Sequence, residues 1–328
     1  MTRLDVVTIG NALVDVLSYE DDDFVARVGV ERGATTMVDA TRSEEIYREM
    51  GPATEVSGGS AANTAAGVAS FGGSAAFVGR VADDAFGKIF AHDLRSAGVT
   101  FESPFSGNDL PTGRCLVIVT PDAQRTMCTY LGTASALDAQ YIAPDIVGNA
   151  LVTYLEGYLW DQPEAKAAIR KAAELAHRGG QRVALTLSDP FCVERHRGEF
   201  TELIDGNVDI LFANEQEILS LYQVDSFDEA LAHVRGACEV AALTRGSRGS
   251  VIVAGDDVQV IEAHPTQVVD TTGAGDLYAA GFLYGFTQQR PLEMCGRLAS
   301  LAAAEVISHL GARPETSLRE LASRVLAT

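Results

Sequence analysis

Apolar residues come in short runs along this chain, and the runs alternate with stretches whose apolar positions recur at helical spacing. Leu4 to Ile9 is an apolar run ended by Gly10 and reads as a buried strand. Ala61 to Phe71, rich in small residues, reads as a helix stopped by Gly72-Gly73. Ala75 to Val78 is the next strand and Phe86 to Ala97 the next helix, closed by Gly98. Leu151 to Leu155, Val183 to Leu187, Val208 to Phe212 and Val240 to Leu243 supply further strands. Amphipathic helices, such as Glu164 to His177 and Phe227 to Ala237, lie between them. Strand and helix in alternation predict an α/β fold, with helices layered on both faces of a mostly parallel sheet.

Two regions break the rhythm. Ser18 to Asp39 and Thr100 to Leu131 are rich in β-formers and turns and carry no helical periodicity. Arg114 to Thr120 and Thr126 to Tyr130 read as a hairpin around Pro121-Asp122-Ala123. The expected organisation is a small β-sheet lid, residues 18–39 and 100–131, over a core of residues 1–17, 40–99 and 132–328. Long surface loops are the alternative for the two insertions.

Composition narrows the function. The chain has 328 residues, 47% hydrophobic and 21% charged, which suits a globular protein with a sizeable core. Its net charge of −20 excludes nonspecific nucleic-acid binding and disfavours anionic membranes. No apolar run is long enough to span a bilayer, and the first ten residues lack the pattern of a signal peptide. The five cysteines are odd in number and none has C-x-x-C spacing, so neither a disulfide framework nor a zinc site is expected. A reducing cytoplasm fits best. An anionic ligand must then meet a local positive site, built from helix N-termini, a metal and a few arginines against the overall field.

The strongest local pattern is Val269-Asp270-Thr271-Thr272-Gly273-Ala274-Gly275-Asp276, followed by an apolar helix from Leu277 to Phe286. A Gly-rich turn that opens a helix leaves free N–H groups and a helix dipole facing outward, which attracts phosphate. A carboxylate beside bound phosphate is repelled by it. Asp276 makes sense there as a general base that takes the proton of an attacking hydroxyl, while the turn holds the developing charge. An N-capped helix after a tight turn is the plainer alternative.

Four other places carry candidate chemistry. In Ser57-Gly58-Gly59-Ser60-Ala61-Ala62-Asn63, paired glycines precede a helix and Asn63 can both donate to and accept from a hydroxyl. Asp15, just beyond the first strand, could accept two adjacent hydroxyl protons. Asn214 with Glu217 follows a strand and could steer magnesium through waters, or simply form a helix capping box. The turn Thr244-Arg245-Gly246-Ser247-Arg248-Gly249 could contact a nucleotide phosphate, or be an ordinary hairpin turn. The P-loop pattern and the dinucleotide fingerprint G-x-G-x-x-G after the first strand are absent, and the six histidines are scattered without metal spacing.

Gly59 to Asn63 and Asp270 to Asp276 stand roughly two hundred residues apart, in that order. Together they resemble the two signatures of the ribokinase-like, phosphofructokinase-B-type carbohydrate and nucleoside kinases. The resemblance runs almost the whole chain and includes Gly10-Asn11 with Asp15, Gly79 to Gly87, Asn214 with Glu217 and the Thr244 turn. It implies a three-layer α/β/α core with a β lid, and ATP with magnesium as cofactors. Within the family the adenosine kinase branch is the most similar, through Gly10 to Asp15, Leu187 to Phe191, Val208 to Glu215 and Pro111-Thr112-Gly113.

That resemblance assigns roles. Asn11, Asp15, Gly58, Gly59, Ser60 and Asn63 belong to the ribose site, and Asp276 deprotonates the 5′-hydroxyl beside Gly273, Ala274 and Gly275. Arg125 of the lid reaches the transferring phosphate. Leu13, Met127, Leu159 and Phe191 enclose the base, where the branch usually has aromatic rings and Tyr158 or Trp160 could compensate. The nucleotide meets Asn214, Thr244, Gly246 and Gly249, with its adenine near Ser300, Ala303 and Gly311. Glu217 acts on magnesium through water, and Asp270 and Thr272 resemble the potassium site of some members. The expected activity is phosphorylation of a nucleoside, adenosine to AMP first. The rivals are a sugar kinase of the same fold and a non-catalytic nucleotide-binding regulator. Either a monomer or a homodimer is compatible with this reading.

Overall fold

The computed structural model describes residues 3–102, 110–122 and 124–326. In chain order the first half comprises β1 (Leu4–Ile9), β2 (Leu13–Tyr19), α1 (Asp22–Val28), β3 (Thr35–Met37), α2 (Ala40–Glu49) and β4 (Ala53–Gly58). It continues with α3 (Ser60–Ser70), β5 (Ala75–Val78), α4 (Ala85–Ser96), β6 (Thr112–Val119) and β7 (Arg125–Gly132). There follow α5 (Pro144–Val147), β8 (Ala150–Glu156), α6 (Pro163–Arg178), β9 (Arg182–Thr186), α7 (Pro190–Asn207) and β10 (Ile210–Asn214). The chain then runs through α8 (Glu215–Tyr222), α9 (Phe227–Val234), β11 (Val240–Thr244), β12 (Ser250–Ala254) and β13 (Asp257–Ile261). It ends in α10 (Ala274–Thr287), α11 (Leu292–Val306) and α12 (Leu318–Leu326).

One sheet has the order β13-β12-β11-β10-β9-β8-β1-β5. From β5 to β11 its strands pair parallel, and β12 and β13 add an antiparallel edge. Its strands read as continuous apolar runs because both faces are covered. Within β1, Val6 packs with α3, α10 and α11, while Val7 and Ile9 pack with α6 and α7 on the other face. This is the three-layer α/β/α architecture the alternation predicts.

The second sheet has the order β3-β7-β6-β2-β4. It departs from the expected lid in two ways. It draws in β2 from Leu13 and all of β4, which the sequence places in the core. The stretch after Ser18 contains a helix, α1, seven residues long and so too short to show a period. Its ends are marked instead by caps: Asp21 accepts from the Phe24 N–H, and Gly29 closes it at a φ of 69°. The hairpin of β6 and β7 pairs antiparallel, and its turn residue Ala123 lies outside the described residues. One face of the sheet packs on α1, α2 and α4 through Val14, Val16, Leu116, Ile118 and Cys128. The other face looks toward the carboxyl ends of the parallel strands.

Two glycines set the spacing of α3, α10 and α11. A Cβ on Gly67 would stand 2.5 Å from the Ala280 Cβ, and one on Gly281 would stand 2.5 Å from the Leu298 carbonyl oxygen of α11. The three helices are therefore packed nearly backbone to backbone. Their approach brings the first turn of α3 beside the first turn of α10. Among the described residues no helix is long and apolar enough to cross a membrane.

Candidate active site

A cleft of about 910 Å³ lies between the two sheets. On its core side, α10 starts at Gly273, whose φ of 77° suits glycine alone among common residues. A Cβ on Gly275 would meet nothing within 4 Å, so the turn opens onto free space where an anion can approach its N–H groups. Asp276 follows on the first helical turn. The Ser60 hydroxyl donates to its Oδ1 at 2.7 Å and the Asn63 amide donates to its Oδ2 at 2.8 Å. The Thr64 hydroxyl donates to its main-chain carbonyl at 3.2 Å, tying the two helices a second time. Burial raises the Asp276 pKa from its ordinary value, and the Ser60, Asn63 and Arg313 groups oppose that rise.

Asp15 projects from β2 of the lid sheet into the same cleft. A Cβ on Gly58 of the paired strand would stand 2.3 Å from its carboxylate, so glycine there is what gives Asp15 room. Burial pushes its pKa up to about 7, against the pull of Arg313 and Arg125. Gly59 has a φ of 93°, and a Cβ on it would strike the Asn11 carbonyl at 2.2 Å. Asn11 does not line the cleft; its side chain donates to Glu156 Oε1 at 2.8 Å. Glu156, 1% exposed, also accepts from the Ala61 N–H at 3.0 Å and fixes the entry to α3.

Arg125, from β7, donates to the Thr272 hydroxyl at 2.9 Å and pairs with Asp270 Oδ2 at 2.5 Å. Asp270 Oδ1 accepts from the Thr272 N–H and hydroxyl, and Oδ2 from the Gly311 N–H. Three hydrogen bonds and the Arg125 ion pair thus engage that carboxylate. The Asp270 side chain is therefore engaged by protein groups and is not free to meet the monovalent cation that the resemblance implies.

Asn214 and Glu217 form the complete capping box of α8, and both line the cleft. Glu217 is buried, with its pKa pushed up to about 7 by desolvation. Among the described residues no group of three His, Cys, Asp or Glu could hold a metal. Glu217 stands on the cleft wall as a single carboxylate, which would meet a magnesium ion arriving with the nucleotide only through the waters that ion keeps. Thr244 pairs with Asn214 in the sheet, and Thr244, Gly246 and Gly311 open onto the same cleft.

Several expected residues stand elsewhere. Leu159 is 1% exposed and packed in the core, and Trp160 is fully buried against Phe200, so neither lines the cleft. Their neighbour Tyr158 lines the cleft instead, its hydroxyl donating to the Ser188 carbonyl at 3.4 Å. Phe191, on the first turn of α7, is 72% exposed and away from the cleft. Ser300 is spent on structure, accepting from the His264 N–H and donating to the Glu262 carbonyl, and Ala303 is not a lining residue. Gly249 serves its own turn, where a Cβ would strike the Ile261 carbonyl. Leu13 and Met127 do line the lid wall, joined by Leu17, Val117 and Cys115.

The sequence patterns did not single out Arg313 or Glu156, and of the two compensating rings they offered, Tyr158 lines the cleft and Trp160 does not. Arg313 had a faint signal: it is an arginine two residues after Gly311 in an otherwise acidic chain.

The model of the pfkB family carbohydrate kinases matches residues 32–318, and the chain belongs to that family. The structure is similar to that of adenosine kinase from Sinorhizobium meliloti, with 51% identity and a TM-score of 0.92 over 99% of this chain and 100% of that one. It is equally similar to a probable sugar kinase protein from Rhizobium etli CFN 42, with 50% identity and a TM-score of 0.93 over the whole of both chains. Adenosine kinase of Saccharomyces cerevisiae is 27% identical over 330 residues, covering 93% of this chain and 95% of that protein. The chain is an ATP-dependent kinase that phosphorylates a hydroxyl group, of the carbohydrate and nucleoside class.

Proposed function

We propose that this kinase phosphorylates the 5′-hydroxyl of a nucleoside, with adenosine converted to AMP. The observation that carries the reading is the composition of the cleft wall beside Asp15 and Asp276. Leu13, Leu17, Val117 and Met127 form an apolar surface there, with Tyr158 at its edge. A bare sugar ring would leave that surface without a partner, whereas a flat base covers it. The 51% identity to an adenosine kinase points the same way.

In this reading Asp15, Gly59 and Asn63 hold the ribose, and Met127, Leu13 and Tyr158 flank the base. Asp276 takes the proton of the 5′-hydroxyl as the oxygen attacks the γ-phosphorus of ATP. The N–H groups of Gly273, Ala274 and Gly275 receive the charge on the transferring phosphoryl group, and Arg125 is placed beside that turn for the same purpose. Thr244, Gly246 and Gly311 face the nucleotide. Magnesium supplies charge neutralisation on the phosphates when bound, with Glu217 holding its waters. The lid face excludes water, which keeps ATP from being hydrolysed.

Measuring ATP consumption with adenosine, inosine, ribose and fructose tests the proposal. Adenosine is expected to exceed either free sugar by about tenfold or more in kcat/KM. Activity confined to the free sugars would overturn it.

A further inference from the structure

Arg313 lies in the loop between α11 and α12, where sequence comparison with a phosphate-binding turn gives no reason to look. Its backbone is delivered by contact: a Cβ on Gly273 would stand 2.8 Å from Ala312, so the anion turn and this loop touch. The guanidinium enters the cleft and makes its hydrogen bonds to one short segment of the other side. Nη1 donates to the Ala62 carbonyl at 2.8 Å. Nε and Nη2 both donate to the Ser57 carbonyl at 3.3 Å, and Nη2 also donates to the Ser57 hydroxyl at 3.2 Å. Ser57 and Ala62 bracket Gly58, Gly59 and Ser60. Arg313 thus grips both ends of the segment that aims Ser60 and Asn63 at Asp276.

None of these partners is charged. A guanidinium bonded only to neutral oxygens keeps its charge uncompensated at contact range, and nearby carboxylates feel it through a medium with little water. The carboxylates that interact with it are Asp15, Asp276 and Asp93. Desolvation lowers the Arg313 pKa to about 10, which still leaves it charged at every pH where the enzyme would work.

We propose that Arg313 is the positioning residue of this site: it clamps the Ser57–Ala62 entry to α3 and supplies the fixed positive charge that keeps Asp276 available as a base. It differs in kind from Arg125. Arg125 sits on the lid and its charge is met by Asp270, whereas Arg313 is anchored across the junction of β4 and α3 and its charge is left for the acidic pair. The proposal rests on the reading of Asp276 as the base.

The pH profile of kcat/KM separates this role from a merely structural one. Several charged or titratable groups influence Asp276 or are influenced by it: Arg313 from the loop, Asp15 from β2, and Glu156, Tyr154 and Tyr158 from β8 and the turn after it. Arg125 acts on Asp15 from β7. Only Arg313 and Arg125 are cations in this set, and Arg125 is unchanged in the test. Removing the Arg313 charge raises the pKa of Asp276, so the acid limb, where the base becomes protonated, moves to higher pH. Arg313→Met is expected to shift that limb upward by about one pH unit and to lower kcat by about tenfold or more at neutral pH. Arg313→Lys keeps the charge and loses the fork; its limb is expected to stay at the wild-type position while kcat falls.

An equal loss at all pH values in Arg313→Met, with the limb unmoved, would overturn the proposal. If that variant does not fold, Arg313→Gln retains a donor for the Ser57 carbonyl without the charge and is read the same way. Asp276→Asn, measured beside them, keeps the two readings apart. Retained turnover there removes the base itself, whereas lost turnover with an unmoved Arg313→Met limb removes only Arg313.

Discussion

On the core side of the cleft, Ser60 and Asn63 hold both oxygens of Asp276, and behind them α3 and α10 are so close that Gly67 admits no Cβ. On the lid side, Leu13, Leu17, Val117 and Met127 present hydrocarbon to the same space and make no directed contact with it. The core wall is held by hydrogen bonds and backbone approach, both intolerant of change in length or angle. The lid wall is held by burial of its reverse face, which fixes where the sheet sits but leaves the chemistry of its front face free to vary. In the proposed reading, reaction type therefore belongs mainly to the first wall and choice of acceptor mainly to the second.

The sharpest way to break that division is Asp276→Asn. Turnover is expected to fall by about a thousandfold or more, with ATP binding by calorimetry nearly unchanged. Retained turnover would mean that the core wall does not carry the reaction. Leu159→Ala comes next in size. Because Leu159 is buried under the cleft and does not face it, the change should cost about 2 to 5 kcal/mol of stability in denaturant unfolding and leave the nucleoside KM close to wild type. A raised KM with unaltered stability would restore Leu159 to the base pocket. Tyr158→Ala should do the reverse. The nucleoside KM is expected to rise by about tenfold, while the KM for ATP stays put. Phe191→Ala is the smallest, with no change expected in either KM, since the ring is 72% exposed and outside the cleft. A several-fold loss of nucleoside affinity there would bring α7 into the acceptor site.

The same division explains what could be read from the sequence. The parallel strands and their helices were legible because both faces are buried, so the apolar runs and helical periods survive as plain patterns. The Gly-rich turn and Asp276 stood out through their pairing with Gly59 to Asn63 about two hundred residues upstream, since alone such a turn reads equally well as an N-capped helix. The lid was harder. β4 runs Ala53-Thr54-Glu55-Val56-Ser57-Gly58, polar and half exposed at a sheet edge, and carries no strand signature of its own. α1 is too short for a period and showed only its caps. The base pocket failed by one residue: Gly157 to Asp161 form a turn of 3₁₀-helix, in which neighbours point in widely different directions, so Leu159 goes inward and Tyr158 outward. Arg313 left only a faint signal because most of its hydrogen bonds go to main-chain carbonyls, which no side-chain pattern records.

The crossing between β1 and β2 has a mechanical meaning. β1 lies inside the large sheet and β2 inside the lid sheet, yet only Gly10, Asn11 and Ala12 separate them. The lid's other nearby link, from β4 into α3, passes through Gly59, whose missing Cβ lets it rest against the Asn11 carbonyl. Two covalent spans thus cross the domain border side by side, touching, with Glu156 pinning one and the start of α3 in the same grip. Such a crossing works as the pivot of a lever: whatever angle the lid adopts is set over these few bonds, and a load on the lid is delivered to the helix turn that holds Ser60 and Asn63.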